Sequence, residues 1–176
     1  MRPNSLIRLL AACLLAVAGC ALAQQDSSKQ PLHLSADTGE LDNVRGVSTY
    51  TGNVVVTRGQ MRITGDVLRV YRGDGDTLDR IEVEGEPATY HDESPQRETP
   101  VDAEAPTMTY YSGPPERIEL SGGATLTRGR DEFRGETVNY DIAADQVKAD
   151  SSKDQRVQVT LFPKKDDSGN DSGDGQ

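Results

Sequence analysis

The sequence predicts an all-β chain, a sheet folded over along its length, on three observations. First, an apolar residue, any residue, a small residue and an acid recur four times, as Leu34-Ser35-Ala36-Asp37, Ile63-Thr64-Gly65-Asp66, Val101-Asp102-Ala103-Glu104 and Phe133-Arg134-Gly135-Glu136. Within each copy the first and third positions share one strand face, and the next inward candidates fall three residues on: Gly39 and Leu41, Leu68 and Val70, Pro106 and Met108, Val138 and Tyr140. Strand side chains have period two, so a slip of one residue at a small-acid pair marks a bulge or corner. Second, sliding the chain by 70 residues lays Tyr50 to Gly59 on Leu120 to Gly129, and the match runs on through Ile63 and Gly65 to Phe133 and Gly135. A half-shifted third copy at Ile81-Glu82-Val83-Glu84-Gly85 echoes Ile118-Glu119-Leu120-Ser121-Gly122. A small supersecondary unit has been stacked, each copy burying its apolar face against its neighbours. Third, the apolar residues alternate, and after the leader no stretch sustains a helical period.

The elements follow in order. Met1 to Ala23 has Arg2 and Arg8, an apolar run from Leu9 to Ala18, and Ala21-Leu22-Ala23 before Gln24, which reads as a secretory signal peptide cleaved near Ala23. Val17-Ala18-Gly19-Cys20 offers a competing lipobox reading, with Cys20 lipidated. Gln24 to Gln30 is a polar leader. Strands are then expected at Leu32 to Ala36, Val47 to Tyr50, Asn53 to Arg58, Met61 to Thr64, Val67 to Tyr71, Arg80 to Glu84 and Ala88 to His91. They resume at Ala103 to Tyr111, Arg117 to Leu120, Ala124 to Thr127, Glu132 to Arg134, Thr137 to Asp141, Gln146 to Ala149 and Arg156 to Phe162. Their spacing suits a sandwich, a barrel or a β-solenoid. Glycine and proline mark the turns at Arg58-Gly59, Gly73-Asp74-Gly75, Ser112-Gly113-Pro114-Pro115 and Arg128-Gly129. Asp92 to Pro100 reads as an exposed polar loop. One domain is expected over residues 24–163, and residues 164–176 form an acidic Gly, Ser and Asp tail expected to be disordered.

Composition narrows the function classes. Arg2 and Arg8 leave with the signal, so 17 basic residues remain against 29 acidic ones, a net charge of −12. That excludes nonspecific nucleic-acid binding, which needs basic surface to neutralise phosphates. Both cysteines, Cys13 and Cys20, fall in the leader, which removes any disulfide framework or cysteine metal site. Asp74, Asp76 and Asp79 lack the spacing and bidentate glutamate of a calcium loop, so no metal and no cofactor is expected. His33 and His91 read as surface or strand-end residues, and Arg72-Gly73-Asp74 as a chance tripeptide. No nucleophile elbow, phosphate loop or metal-helix motif appears, and no catalytic residue is assigned. Arg58 and Arg128, repeated at glycine turns, are either rim residues near ligand phosphates or solvated turn charges.

Gly52-Asn53-Val54-Val55-Val56-Thr57-Arg58-Gly59, Ile63-Thr64-Gly65-Asp66, Gly85-Glu86-Pro87-Ala88-Thr89-Tyr90 and Leu120-Ser121-Gly122-Gly123-Ala124 together resemble the OstA-like family of periplasmic lipopolysaccharide transport proteins, over Leu32 to Leu161. The resemblance implies an open, slightly twisted antiparallel β-jellyroll of stacked V-shaped strands. It implies a non-enzymatic periplasmic carrier of lipopolysaccharide between an inner-membrane LptC-like protein and an outer-membrane LptD-like protein.

The phase of the corners turns Leu32, Leu34, Val54, Val56, Ile63, Leu68, Val70, Ile81, Val83, Ala88, Tyr90, Met108, Tyr110, Ile118, Leu120, Leu126, Phe133, Val138 and Tyr140 inward. These are either a core or, except for Ala88 and Ile118, the lining of an acyl-chain groove, where each buried methylene is worth about 0.8 kcal/mol. A stacked sheet that does not close leaves a bare strand at each end. Leu32-His33-Leu34 and Val157-Gln158-Val159-Thr160-Leu161, with Val157, Val159 and Leu161 as its apolar positions, are the expected partner edges, and their pairing would give a head-to-tail homo-oligomer. Two other classes fit the same pattern: a purely structural envelope-assembly protein, and a secreted β-solenoid enzyme acting on acidic polysaccharide with carboxylates on an exposed strand face.

Overall fold

The computed structural model describes residues 30–163, apart from 74, 76, 96, 97 and 153–155. The expected signal peptide with its lipobox, most of the polar leader, Asp74 and Asp76, and the acidic tail therefore lie outside the described residues. Among the described residues ten strands make one antiparallel sheet: β1 (His33–Ser35), β2 (Thr38–Asp42), β3 (Val47–Arg58), β4 (Met61–Arg72), β5 (Leu78–Asp92), β6 (Val101–Tyr111), β7 (Arg117–Arg128), β8 (Asp131–Asp141), β9 (Gln146–Asp150) and β10 (Gln158–Thr160). From β3 to β8 each strand pairs with the next, while β1 and β2 both pair with β3, and β9 and β10 both pair with β8. Among the described residues no helix is long and apolar enough to cross a membrane. The architecture is an open β-jellyroll.

Of the six long strands, five run through positions where the sequence predicts pairs of short ones, and β6 is the single strand expected from Ala103 to Tyr111, begun two residues earlier at Val101. Each breaks register once near its middle, and the breaks line up across the sheet. They fall between Thr51 and Val54, Thr64 and Val67, Glu84 and Ala88, Glu104 and Thr107, and Ser121 and Ala124. Along this line the sheet folds into two arms. Arm A holds β1, the residues 54–58, 61–65, 88–92, 101–105, 124–128 and 131–135, and β10. Arm B holds β2, the residues 47–51, 67–72, 78–84, 107–111, 117–121 and 137–141, and β9. The longer repeat is the β3–β4 hairpin laid on the β7–β8 hairpin: Val47–Arg58 on Arg117–Arg128, and Met61 on Asp131.

The small-acid phrases lie on or beside the fold line, and their chemistry explains their composition. In the first, Asp37 donates its N–H to the Gly52 carbonyl at 2.9 Å, and its carboxylate accepts from the Asn53 amide at 2.9 Å. The acid thus ties the end of β1 to the bulge on β3, where Gly52 stands at φ +83° and Asn53 at φ +45°. In the second, Gly65 leaves room for β5: a Cβ there would meet Val83 Cγ1 at 2.4 Å and the Glu84 carbonyl oxygen at 2.8 Å. Backbone is one of those neighbours, so Gly65→Val is expected to destabilise by about 3 kcal/mol, the upper range for overpacking, read as a lowered urea midpoint. An unchanged midpoint would mean the corner can widen.

The third phrase bends later than expected. Val101, Ala103 and Ala105 are all buried and the next buried position is Met108, so the slip lies at Pro106-Thr107 and Pro106 points out, correcting its inward placement. Strand β2 is an addition to the expected set. Its Gly39 and Leu41 occupy the inward register, opposite Tyr50 and buried Ser48, but remain exposed because no strand lies beyond them.

Candidate functional site

Register assigns the inward residues to rows that cross every strand. In arm A one row reads Leu34, Val56, Ile63, Tyr90, Ala103, Leu126, Phe133, Val159. In arm B the facing row reads Gly39, Tyr50, Leu68, Val83, Met108, Leu120, Val138, Ala149. A second arm B row holds Leu41, Ser48, Val70, Ile81, Tyr110, Ile118, Tyr140 and Val147. None of the three carries a charge. Residues of both arms pack into a single apolar cluster.

All the groove residues expected from the sequence lie on this inward surface. Val54, Val56, Ile63, Leu68, Ile81, Val83, Tyr90, Met108, Tyr110, Leu120, Leu126, Val138 and Tyr140 are 0–1% exposed, so the arms are closed on each other at mid-sheet. Leu32, Leu34, Val70 and Phe133 are half-buried at the margins of the same cluster. Met61, Ala105, Ala124 and Ser48 belong to the interior too and were not among the expected inward residues. The alanines sit beside the fold line, Ala124 directly after the bulge glycine Gly123 and Ala105 directly before Pro106, and a small residue next to such a glycine or proline is their one sequence signal.

At the two ends the interior opens. His33 is exposed in β1, and Val159 is 49% and Leu161 66% exposed at the far side, with Val157 also exposed. Among the described residues β1 pairs only with β3 and β10 only with β8, so both expected edge segments end the sheet there, and β2 and β9 form two further edges in arm B.

Opposite the fold line, the arm tips meet at a mouth. Arg58, last residue of β3 in arm A, is 8% exposed and extends across to arm B, where its guanidinium donates to the Tyr110 hydroxyl and the Glu116 carboxylate. Tyr110 also donates to Glu116. Burial alone would lower the Arg58 pKa, but Tyr110 and Glu116 outweigh it, so the pKa stands above its ordinary value and the cation persists. Burial first, and then Glu116, push the Tyr110 phenol far above its usual range, keeping it a donor. Arg58 is thus no solvated turn charge. Arg128, its repeat counterpart, donates to the Asp145 carbonyl and carboxylate, both at 3.1 Å. Three interior tyrosines end on mouth carboxylates: Tyr90 on Asp92 at 3.1 Å, Tyr110 on Glu116, and Tyr140 on Asp145 at 2.9 Å. Their rings face the apolar interior and their hydroxyls the polar mouth, the amphipathic use of tyrosine at such a boundary.

The mouth encloses a cavity of about 440 Å³, walled by Met61, Tyr90 and Ile142 as well as Asp92, Glu116 and Asp145. Among the described residues no cluster of three or more His, Asp and Glu is arranged to hold a metal ion. On the outer face His91 contacts Asp102 at 2.7 Å and Glu93 at 3.1 Å, and the hydrogen bond to Asp102 chiefly raises its pKa.

The family described as LptA/(LptD N-terminal domain) LPS transport protein matches residues 33–146. The lipopolysaccharide export system protein LptA of Escherichia coli (strain K12) is 32% identical over 160 residues, 90% of this chain and 85% of that protein. LptA of Haemophilus influenzae is 29% identical over 157 residues, 88% of this chain and 90% of its own. The crystal structure of LptH, the LptA homologous periplasmic component of the lipopolysaccharide transport device of Pseudomonas aeruginosa, superposes with a TM-score of 0.70 at 26% identity, over 78% of this chain and 99% of that one.

Proposed function

We propose, because this chain belongs to the family of LptA and LptD N-terminal lipopolysaccharide transport proteins, that it is a periplasmic bridge that carries lipopolysaccharide from the inner to the outer membrane. Acyl chains lie between the arms while sugars and phosphates stay in water outside, which suits a strongly acidic surface. The observation that carries the reading is the uncharged character of the inward rows from one open edge to the other. Leu34 begins the arm A row at one end and Val159 finishes it at the other, so copies joined end to end would extend one apolar path.

The edges support that joining. β1 reads His33-Leu34-Ser35 and β10 reads Gln158-Val159-Thr160, neither with a lysine, carboxylate or proline of the kind that blunts a strand edge. β2 and β9, with Glu40, Asp42, Lys148 and Asp150, carry such guards. Arm A therefore makes the strand-to-strand joints, both between copies and with LptC-like and LptD-like ends. The closed mid-sheet favours a second reading, a structural part whose interior never admits lipid.

One experiment separates the two. A photoreactive residue replaces Phe133, Leu34 or, on the outer surface, Arg62 in the purified chain, which is then incubated with lipopolysaccharide and irradiated. Adducts are expected at residues 133 and 34 and not at 62. No adduct at either inward position would overturn the transport reading.

A further inference from the structure

The interior that must receive acyl chains is shut at its mouth by two ion pairs that join opposite arms. Arg58 leaves the β3–β4 turn of arm A and ends on Tyr110 and Glu116 of arm B, its side chain 9% exposed and that of Glu116 25%. Arg128 leaves the matching β7–β8 turn of arm A and ends on Asp145 of arm B. The turns are alike: two-residue loops with Gly59 and Gly129 both at φ +60°, so the internal repeat delivers an arginine twice to the same rim. Asp145 is itself fixed, at φ +51° with the Tyr140 hydroxyl on its other oxygen. Between the two pairs lies the mouth cavity, so at the rim, beyond the packed mid-sheet, the arms are pinned on either side of it.

We propose that Arg58 and Arg128 form a double clasp across the mouth, and that the clasp must open for an acyl chain to pass between the arms. The proposal rests on the transport reading for its cargo and adds the residues that control access. Neither arginine touches the acyl chain; each acts by holding the arms together. Two clasps at one repeat spacing also let the mouth open at one end while the other stays shut. A chain sliding along the interior then needs only local parting of the sheet.

The test uses two probes, the apolar fluorophore N-phenyl-1-naphthylamine, which needs no lipopolysaccharide site, and lipopolysaccharide itself. Arg128→Gln, at an accessible position, is expected to speed dye uptake at least threefold, and Arg58→Gln/Arg128→Gln at least tenfold. Because Arg58 is buried and its loss can unfold the chain, a third variant works in the opposite sense. In a Cys13→Ser/Cys20→Ser background, Arg128→Cys and Ala144→Cys are bridged by a bis-maleimide with a reducible spacer. Bridging is expected to cut uptake of both probes to under a tenth of the unbridged rate, and reduction to restore it. Uptake unaffected by bridging, or unchanged dye uptake in Arg128→Gln, would overturn the clasp. If the dye responds as expected while lipopolysaccharide never binds any form, the clasp stands and the transport reading falls.

Discussion

Leu126→Ala is expected to lower the stability of this protein by about 2–5 kcal/mol, a large share of the roughly 5–15 kcal/mol that a domain of this kind has in total. Leu126 is fully buried in the middle of the arm A row, between Ala103 and Phe133. The usual escape from a cavity is collapse of the neighbours, and here it is blocked on both sides. Ala103 is too short to reach in, and the strand positions are fixed by ladders to β6 and β8. The loss therefore approaches transfer plus cavity, unlike Leu41→Ala at the exposed edge of arm B, where under about 1 kcal/mol is expected. Urea unfolding followed by far-UV circular dichroism measures both. The cavity would be apolar and dry, so a short alkane should bind Leu126→Ala and raise its midpoint while leaving the parent unmoved. A loss below about 1 kcal/mol would show that the arms do not pack on Leu126.

Much of this architecture is written in local pattern. A phase slip at a small residue is a statement about one strand, and it locates the fold line at Ala36-Asp37, Gly65-Asp66 and Gly135-Glu136 from the sequence alone. It misplaces the third corner because Ala103 and Ala105 are equally small. The choice between them is made by Gly122-Gly123 and Gly85-Glu86-Pro87 on the neighbouring strands, whose extra residues meet β6 at Pro106. Strand β2 escapes notice for another reason. Thr38-Gly39-Glu40-Leu41-Asp42 has a glycine at its second position and two acids, a poor strand by propensity, and it is one because β3 offers it a ladder. The mouth is the least legible part. Arg58 meets Tyr110 and Glu116 across 52 and 58 residues of chain, a contact that exists only after the sheet has folded over. Only the repetition of an arginine at two glycine turns hinted that the position mattered. Period places Tyr90, Tyr110 and Tyr140 inward but says nothing of where their hydroxyls end.

Val159→Asp is expected to weaken end-to-end association by at least about a hundredfold while leaving the single chain within about 1 kcal/mol of its original stability. The contrast follows from position. Val159 pairs with Phe133 at the last strand of arm A and is 49% exposed, so in the separate chain a carboxylate there keeps half its water. In the proposed joint of β10 with β1 of another copy, that position would lie within the continued apolar row beside Leu34, and an unpaired carboxylate would lose its hydration there. Removing such a charge from water costs several kcal/mol, and 3 kcal/mol is roughly 150-fold in an equilibrium constant. A general electrostatic effect must be separated, since a chain already rich in acids repels its own copies. Gly113→Asp makes the same change of charge in the exposed β6–β7 turn, in the middle of the strand order and away from both edges, where an added Cβ meets nothing within 4 Å. Sedimentation velocity over a concentration series reads the outcome. If both variants weaken association equally, repulsion is the cause and the edges are not the joint. If only Val159→Asp does, the row from Leu34 to Val159 is what copies share, and the same substitution should then block passage of lipopolysaccharide between chains without preventing a single chain from binding it.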